Sequence, residues 1–283
     1  MNTYWFIWKG KNSLADYGLW VRKLPKRTRP KERHEEVVIP GRAGSLILTE
    51  GEEVYESYSD EMTVSCKNTV NTDRILEWLR GSGELILSDD LGKARTARIV
   101  GEVSFDRDDK NKLLIGTVPL LFQPFKKAAD EAIYRTTITA TSTIYNPGDV
   151  KGKPKLTLTG TGALTIACGG TQMVFTHRPD GLVVDCDAQI MVATAQAYDS
   201  TAYYYRGDYM KIVESGVSVL YRITVEGVGN AAEWERVGVA PAVFEYLWPG
   251  EWSGEYLRIP TGSQTITVTG TAGITIDPQW RWL

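Results

Sequence analysis

Histidine is nearly missing from this chain, with two residues in 283, and cysteine is hardly commoner, with three. His34 sits in a charged run and His177 beside an Arg-Pro-Asp-Gly turn, so both read as surface residues and neither suggests a Ser-His-Asp or Cys-His arrangement. Cys66, Cys168 and Cys186 are too few and odd in number for a disulfide scaffold. They read as buried thiols in a protein assembled in a reducing compartment. Cys168 and Cys186 with His177 lack the C-x-x-C core of a zinc site, and no metal is expected. Long hydrophobic runs are absent too. No window reaches the length of a membrane span, and "MNTYWFIWKG" has neither a basic leader segment nor a cleavage site, so neither membrane insertion nor a secretory leader is expected.

Charge of one sign is also lacking. Net charge is −3; residues 1–128 carry 21 Lys and Arg against 19 Asp and Glu, a balance of +2, and the rest carries −5. That asymmetry is too mild for sequence-specific nucleic-acid binding. The basic run "RKLPKRTRPKERHEE" (22–36) is interrupted by Glu32, Glu35 and Glu36 and has no interleaved aromatics for base stacking. It reads as an extended arm that finds acidic neighbours.

Motifs for chemistry fail one by one. In "EEVVIPGRAGSLILTEG" (35–51), Gly41 and Gly44 precede a strand-like segment without the Lys and helix of a phosphate loop, and Ser45 lacks the G-x-S-x-G context of a nucleophile elbow. The Pro40-Gly41-Arg42-Ala43-Gly44 stretch reads as a special turn between strands. "DRDDKNK" (106–112) has Lys110 where a calcium loop wants oxygen and Asn111 where it wants glycine, so it reads as a hairpin tip. No carboxylate pair stands out as a glycosidase site. The expectation is a protein with no catalytic residue, cofactor or metal.

What the chain does contain is β-structure: aromatic and β-branched runs separated by glycine and Asx turns, at a length that accommodates two domains. A single segment reads clearly as helix. In "NTDRILEWLRGSG", Thr72 is the expected N-cap, Ile75, Leu76 and Leu79 form an apolar stripe, and Gly81 ends it. Residues 83–124 read as a three-stranded meander with turns at 89–92 and 108–111 and a central strand carrying Ala97, Ile99, Gly101, Val103 and Phe105 on one face. "PFKKAADEA" then reads as a linker. The segments "LTLTGTGALTIACGG" from Leu156 and "ITVTGTAGITIDP" from Ile266 echo each other and read as two hairpins of one β-sandwich. That sandwich is expected to span 135–198 and 241–283, interrupted by a tyrosine-rich insert at 199–240, with the first domain at 1–128. "FEYLWPGEWSGEY" adds aromatics that look exposed.

Several ordered motifs resemble the distal tail (Dit) proteins of long-tailed phages that infect Gram-positive bacteria: "GKNSLADYGLWV" from Gly10, the basic connector, "EEVVIPGRAGSL" from Glu35, "LLFQPF" closing the first domain, and "GEYLRIPTGSQTITVTGTAGITIDPQWRWL" at the end. The resemblance covers 1–190 and 242–283. It implies a mainly β protein with an N-terminal β-sandwich, one short helix and a hairpin arm, followed by a galectin-like C-terminal sandwich carrying a small β insertion. It further implies a non-enzymatic hub at the virion tail tip, assembled in the host cytoplasm. Six copies would form a ring between the tail-tube protein and a tail-associated adhesin or lysin, around a lumen for the tape-measure protein. Pro40, Gly41, Arg42 and Gly44 would then sit near a subunit interface. The insert is similar to small chitin-binding-type modules through Tyr198, Thr201, Tyr203, Gly207-Asp208, Met210, Tyr221 and Trp234, which implies contact with bacterial cell-wall glycan. The aromatic pair such modules carry after Tyr221 is replaced by "RITVEGV". Tyr203, Tyr205 and Trp234 are the candidate sugar-stacking residues, in a glycan-binding accessory adhesin as the alternative reading; tyrosines forming the insert's own miniature core are the other explanation.

Overall fold

A computed structural model describes residues 3–40, 43–49, 53–270 and 272–283. It divides into two compact units, Met1–Asp130 with Arg281–Leu283, and Glu131–Trp280.

The first unit is built on one nine-stranded antiparallel sheet. Its axis is the 16-residue strand Leu113–Ala128, whose alternation buries Leu114, Val118, Leu120 and Phe122. One edge of that strand pairs with Tyr58–Lys67 over ten residues. The other pairs first with Ser104–Asp108 and then with Lys93–Ile99. The single central strand expected across 97–105 is therefore two strands. Gly101, at φ +90°, turns the backbone between them, a conformation that costs glycine nothing. The face assignment survives the break: Ala97 is buried, and Ile99, Val103 and Phe105 pack against the same core.

The expected linker is also strand. Register with Lys93–Ile99 slips between Phe122 and Lys126, where Pro124 has no N–H to donate. Pairing then resumes, and Lys126 and Lys127 also meet Trp282 and Arg281, so the last residues of the chain complete the first unit's sheet. The basic arm takes acidic neighbours: Arg27 reaches Asp89 at 3.0 Å, Lys23 reaches Glu61 at 3.3 Å, and the Lys26 amide donates to Asp60. His34–Val38 and Ser45–Thr49 form a separate two-stranded hairpin.

The expected helix runs over Thr72–Trp78, capped by Asn71 rather than Thr72: the Asn71 side chain accepts from the Asp73 amide at 3.0 Å. Both residue types cap, and the one-position difference decides which residue is outside the helix. Trp78 closes the core. Its ring stacks on Tyr17 at 4.1 Å and on Phe6 at 5.5 Å, and its indole N–H donates to the Trp8 carbonyl. Tyr17 belongs to a second, one-turn helix, Ser13–Tyr17, that is too short for apolar periodicity to reveal. Asn12 caps it at Leu14 and Ala15, and Gly18 ends it at φ +62°.

The second unit contains a six-stranded and a five-stranded sheet whose buried faces carry Leu156, Leu158, Ile274 and Ile276 from one and Ile166, Met173, Phe175 and Ile266 from the other. The sequence echo is not a pair of hairpins. Lys155–Thr159 and Gly273–Asp277 pair with each other in one sheet, and Leu164–Cys168 and Gly262–Gly270 pair with each other in the other. Each Thr-Gly segment is a corner that carries the chain between sheets. Arg178 holds the first corner, donating to the Thr159 carbonyl at 3.1 Å and to that of Gly160.

The insert leaves this frame after Ile190–Thr194 and returns at Glu245–Leu247, two strands that pair directly, Thr194 with Glu245 and Val192 with Leu247. Between them lie a four-stranded sheet, ordered Gln196–Ala197, Tyr209–Glu214, Val217–Val225, Glu233–Val239, and a short ladder of Tyr203–Tyr204 with Gly227–Val228. Tyr204, Met210, Ile223 and Ala232 form its own small core, with Tyr198, Tyr221 and Trp234 packed against them.

Candidate functional site

The turn Tyr205-Arg206-Gly207-Asp208 decides how the insert meets the sandwich. Gly207, at φ +97°, lets its amide reach the Ile223 carbonyl, and the Ile223 amide returns a bond to the Asp208 carbonyl. Asp208 is only 3% exposed. Its carboxylate accepts from the Tyr205 amide at 2.7 Å and, from across the boundary, the Tyr246 hydroxyl at 3.1 Å. Burial pushes the carboxyl up to about 6, against the opposing effect of those two donors. The same burial, reinforced by Asp208, pushes the Tyr246 hydroxyl up. The Arg-Gly-Asp tripeptide is thus a structural turn with its acid sealed inside.

Aromatic rings continue the junction. Tyr205 lies edge-on to Trp248 at 5.6 Å and to Tyr203 at 5.2 Å, while Tyr209 packs on Phe244 at 4.9 Å and Tyr246 at 5.1 Å. The aromatics of "FEYLWPGEWSGEY" that looked exposed are half-buried or buried. For Phe244, Tyr246 and Trp248 the insert supplies part of the cover, whereas Trp252 and Tyr256 pack on Phe175 and on each other; no local pattern displays either.

Next to the junction a cleft of about 750 Å³ opens. Its lining comes from 161–162, 177–180, Thr194 and Tyr246 of the sandwich and from 196–204, Asp208, Tyr209 and Val228 of the insert. His177 stacks on Tyr203 at 4.2 Å, the ring planes 19° apart. Asp199 and Asp180 are tied to backbone: Asp199 accepts from Thr201 N and Oγ1, which holds its carboxyl below the usual range, and Asp180 accepts from Gly160 N at 2.6 Å.

The candidate stacking residues separate. Tyr203 lines the cleft, half-buried. Tyr205 is beside it but buried, its ring covered by Trp248, Tyr203 and His177. Trp234 is elsewhere, tilted against Tyr198 at 5.7 Å on the insert's own core. His177 is the residue that sequence reasoning passed over: its turn looked like open surface, and the only sequence signal available was the tyrosine cluster 26 positions later, with nothing to pair the two. At the glycine corner, Pro40 and Gly44 are exposed, Gly44 at φ +80° with open space around a Cβ; Gly41 and Arg42 lie outside the described residues. The three thiols are buried, and burial raises each, Cys186 to about 12.

No protein-family model and no curated protein matches the chain. Among solved structures it is similar to the SPP1 Dit protein, described as a paradigm of the hub adsorption apparatus in phages infecting Gram-positive bacteria, with a TM-score of 0.56 and 14% identity over 100% of both chains. The chain has the Dit fold. At that identity it is architecture that is shared, along the whole length of each chain. Within this Dit fold the cleft belongs to the second unit, between the insert and the strands it interrupts.

Proposed function

We propose that this chain is a non-enzymatic tail-tip hub of a phage or prophage. The observation that carries the reading is end-to-end similarity of fold to a phage hub protein. Six copies close into a ring through their first units, joining a tail-tube protein on one side to an adhesin or lysin on the other, with the tape-measure protein in the lumen. The particle assembles in the host cytoplasm and resides at the virion tail tip. A head-to-tail interface that closes by rotation makes a ring from contact surfaces alone, without reactive groups. The stretch with Pro40, Gly41, Arg42 and Gly44 is assigned to that interface. Light scattering after size-exclusion chromatography tests this directly: a ring gives six times the 31.5 kDa chain mass and an annulus by negative-stain microscopy. A particle of single-chain mass at high concentration refutes it.

A second, compatible role is glycan binding by the tyrosine-rich part of the second unit. The aromatic lining of the cleft around Tyr203 supports it.

A further inference from the structure

Building on that glycan reading, we propose that the saccharide site is the cleft where the insert meets the sandwich, not the insert's outer face around Trp234, and that it accepts non-anionic oligosaccharides while rejecting anionic ones.

Three observations converge on this. Size is the first: about 750 Å³ is within the range of ligand pockets and holds an oligosaccharide of about two or three rings. The second is the wall. The His177–Tyr203 stack is half-buried, and Tyr209 and Tyr246 add aromatic surface, which suits the C–H faces of sugar rings. Around it the side chains of Thr161, Thr194, Gln196 and Ser200 and the Tyr203 hydroxyl make no hydrogen bond among the described residues. Hydroxyls and an amide that both donate and accept are the complement of a polyol.

Charge is the third. Asp180, Asp199 and Asp208 line the cleft. The one guanidinium there, on Arg178, is buried and turned to the Thr159 and Gly160 carbonyls. No lysine lines it among the described residues. A uronate or phosphate entering would meet the Asp180 and Asp199 carboxylates while the Arg178 guanidinium stays buried against backbone carbonyls, a like-charge juxtaposition that selects against anions. Trp234 offers no comparable enclosure, since it packs against Tyr198 and the insert's core.

The test uses the full-length protein on an array of neutral oligosaccharides, deacetylated amino-sugar oligomers, and uronate- or phosphate-bearing oligomers. Calorimetry and hydrogen exchange then follow on the best ligand. The expected result is binding of the neutral or amino class, with the anionic class weaker by about tenfold or more. Protection should appear at 177–180 and 194–204. Tyr203→Ala should weaken binding about tenfold, and Thr194→Val, which keeps the strand, should weaken it measurably, whereas Trp234→Leu, which removes the indole but keeps an apolar contact with the cleft-lining Tyr198, should leave it unchanged. Preference for anionic oligomers, protection confined to 213–239, or loss on Trp234→Leu with normal binding by the Tyr203 and Thr194 variants would each overturn the cleft assignment alone. Binding to none of the three classes would sink the glycan reading together with it, and the ring mass would still judge the hub reading independently.

Discussion

Asp208 offers the sharpest physical test, because a carboxylic acid sealed between insert and sandwich must make docking depend on pH. Burial raises it from 3.8 to about 6. The folded state therefore holds the proton more tightly than the unfolded chain does. The sign follows: stability from this group is full below about pH 3.8 and is lost as pH rises through about 6. A difference of about two units at 1.36 kcal/mol each puts the change near 3 kcal/mol, an upper figure because neighbouring donors relax. Asp208→Asn removes the titration and keeps the shape. The amide oxygen can still accept from the Tyr205 amide, and the amide nitrogen can donate to the Tyr246 hydroxyl, which turns to accept. We expect the variant to exceed the parent by about 1 kcal/mol at pH 4.5, where the unfolded Asp208 is already mostly ionised, and by about 3 kcal/mol at pH 8. The measurement is hydrogen exchange of the Gly207 and Ile223 amides, whose bonds flank Asp208, compared between the two proteins at each pH. A parent-minus-variant difference that stays flat from pH 4.5 to 8 refutes the reasoning.

Other consequences are simpler to check. Native protein should resist alkylation at Cys66, Cys168 and Cys186 at pH 7.5, since all three thiols are buried and raised, and should label fully in denaturant; prompt labelling of any one in the folded state contradicts its placement. Asn71→Ala should cost about 1 kcal/mol in the first unit by urea denaturation, and Thr72→Ala clearly less; the reverse order would restore Thr72 as the cap. Gly254→Ala should cost at least about 2 kcal/mol, because φ is +104° and the new Cβ would lie 2.0 Å from the Gln172 carbonyl oxygen. Its signature is faster exchange of the Glu255 amide, which bonds that same carbonyl, and unchanged exchange would disprove the contact.

Much of the architecture is legible in local pattern. The alternation of Ala97, Ile99, Val103 and Phe105 identifies a core face even though the strand breaks at Gly101, because facing is a period-two property that survives an irregularity of suitable length. The helix at Thr72–Trp78 announces itself by a capping-type start and an apolar stripe, but its N-cap is Asn71, one position before Thr72, and it ends at Leu79, two positions before Gly81. The Thr-Gly echo is a different matter. A glycine turn that closes a hairpin and one that crosses between sheets have the same local requirement, backbone at positive φ; which of the two forms is set by partners about 110 residues away, Leu158 with Ile274 and Ile166 with Val268. The run after Phe122 looks like a linker for a related reason. Its pairing partner is the end of the chain, and two lysines in a strand whose edge is covered from afar carry no local sign of it.

The same distinction separates what could and could not be seen of the cleft. Tyrosine density marks 198–209 as unusual, yet density alone does not tell which rings are structural. Tyr203 and Tyr204 both line the cleft while Tyr205 lies in the junction; Tyr204 belongs to the insert's core and its hydroxyl is bonded at Asp199, so of the two only Tyr203 has a hydroxyl without a hydrogen bond among the described residues. The insert's ends leave two strands that pair directly, a point at which extra chain can be accommodated without parting the sheet. Such an insert could swing on its two connections. Instead Asp208 accepts the Tyr246 hydroxyl and Tyr205 packs edge-on to Trp248, two ties from the turn of the insert to the frame beyond it. A buried carboxylate is a costly tie in free energy, and an apolar contact of the same volume would serve stability at least as well. What the acid adds is direction: its two oxygens are satisfied only when Tyr205 and Tyr246 are both in place, and that same placement sets Tyr203 against His177 and shapes the cleft between them.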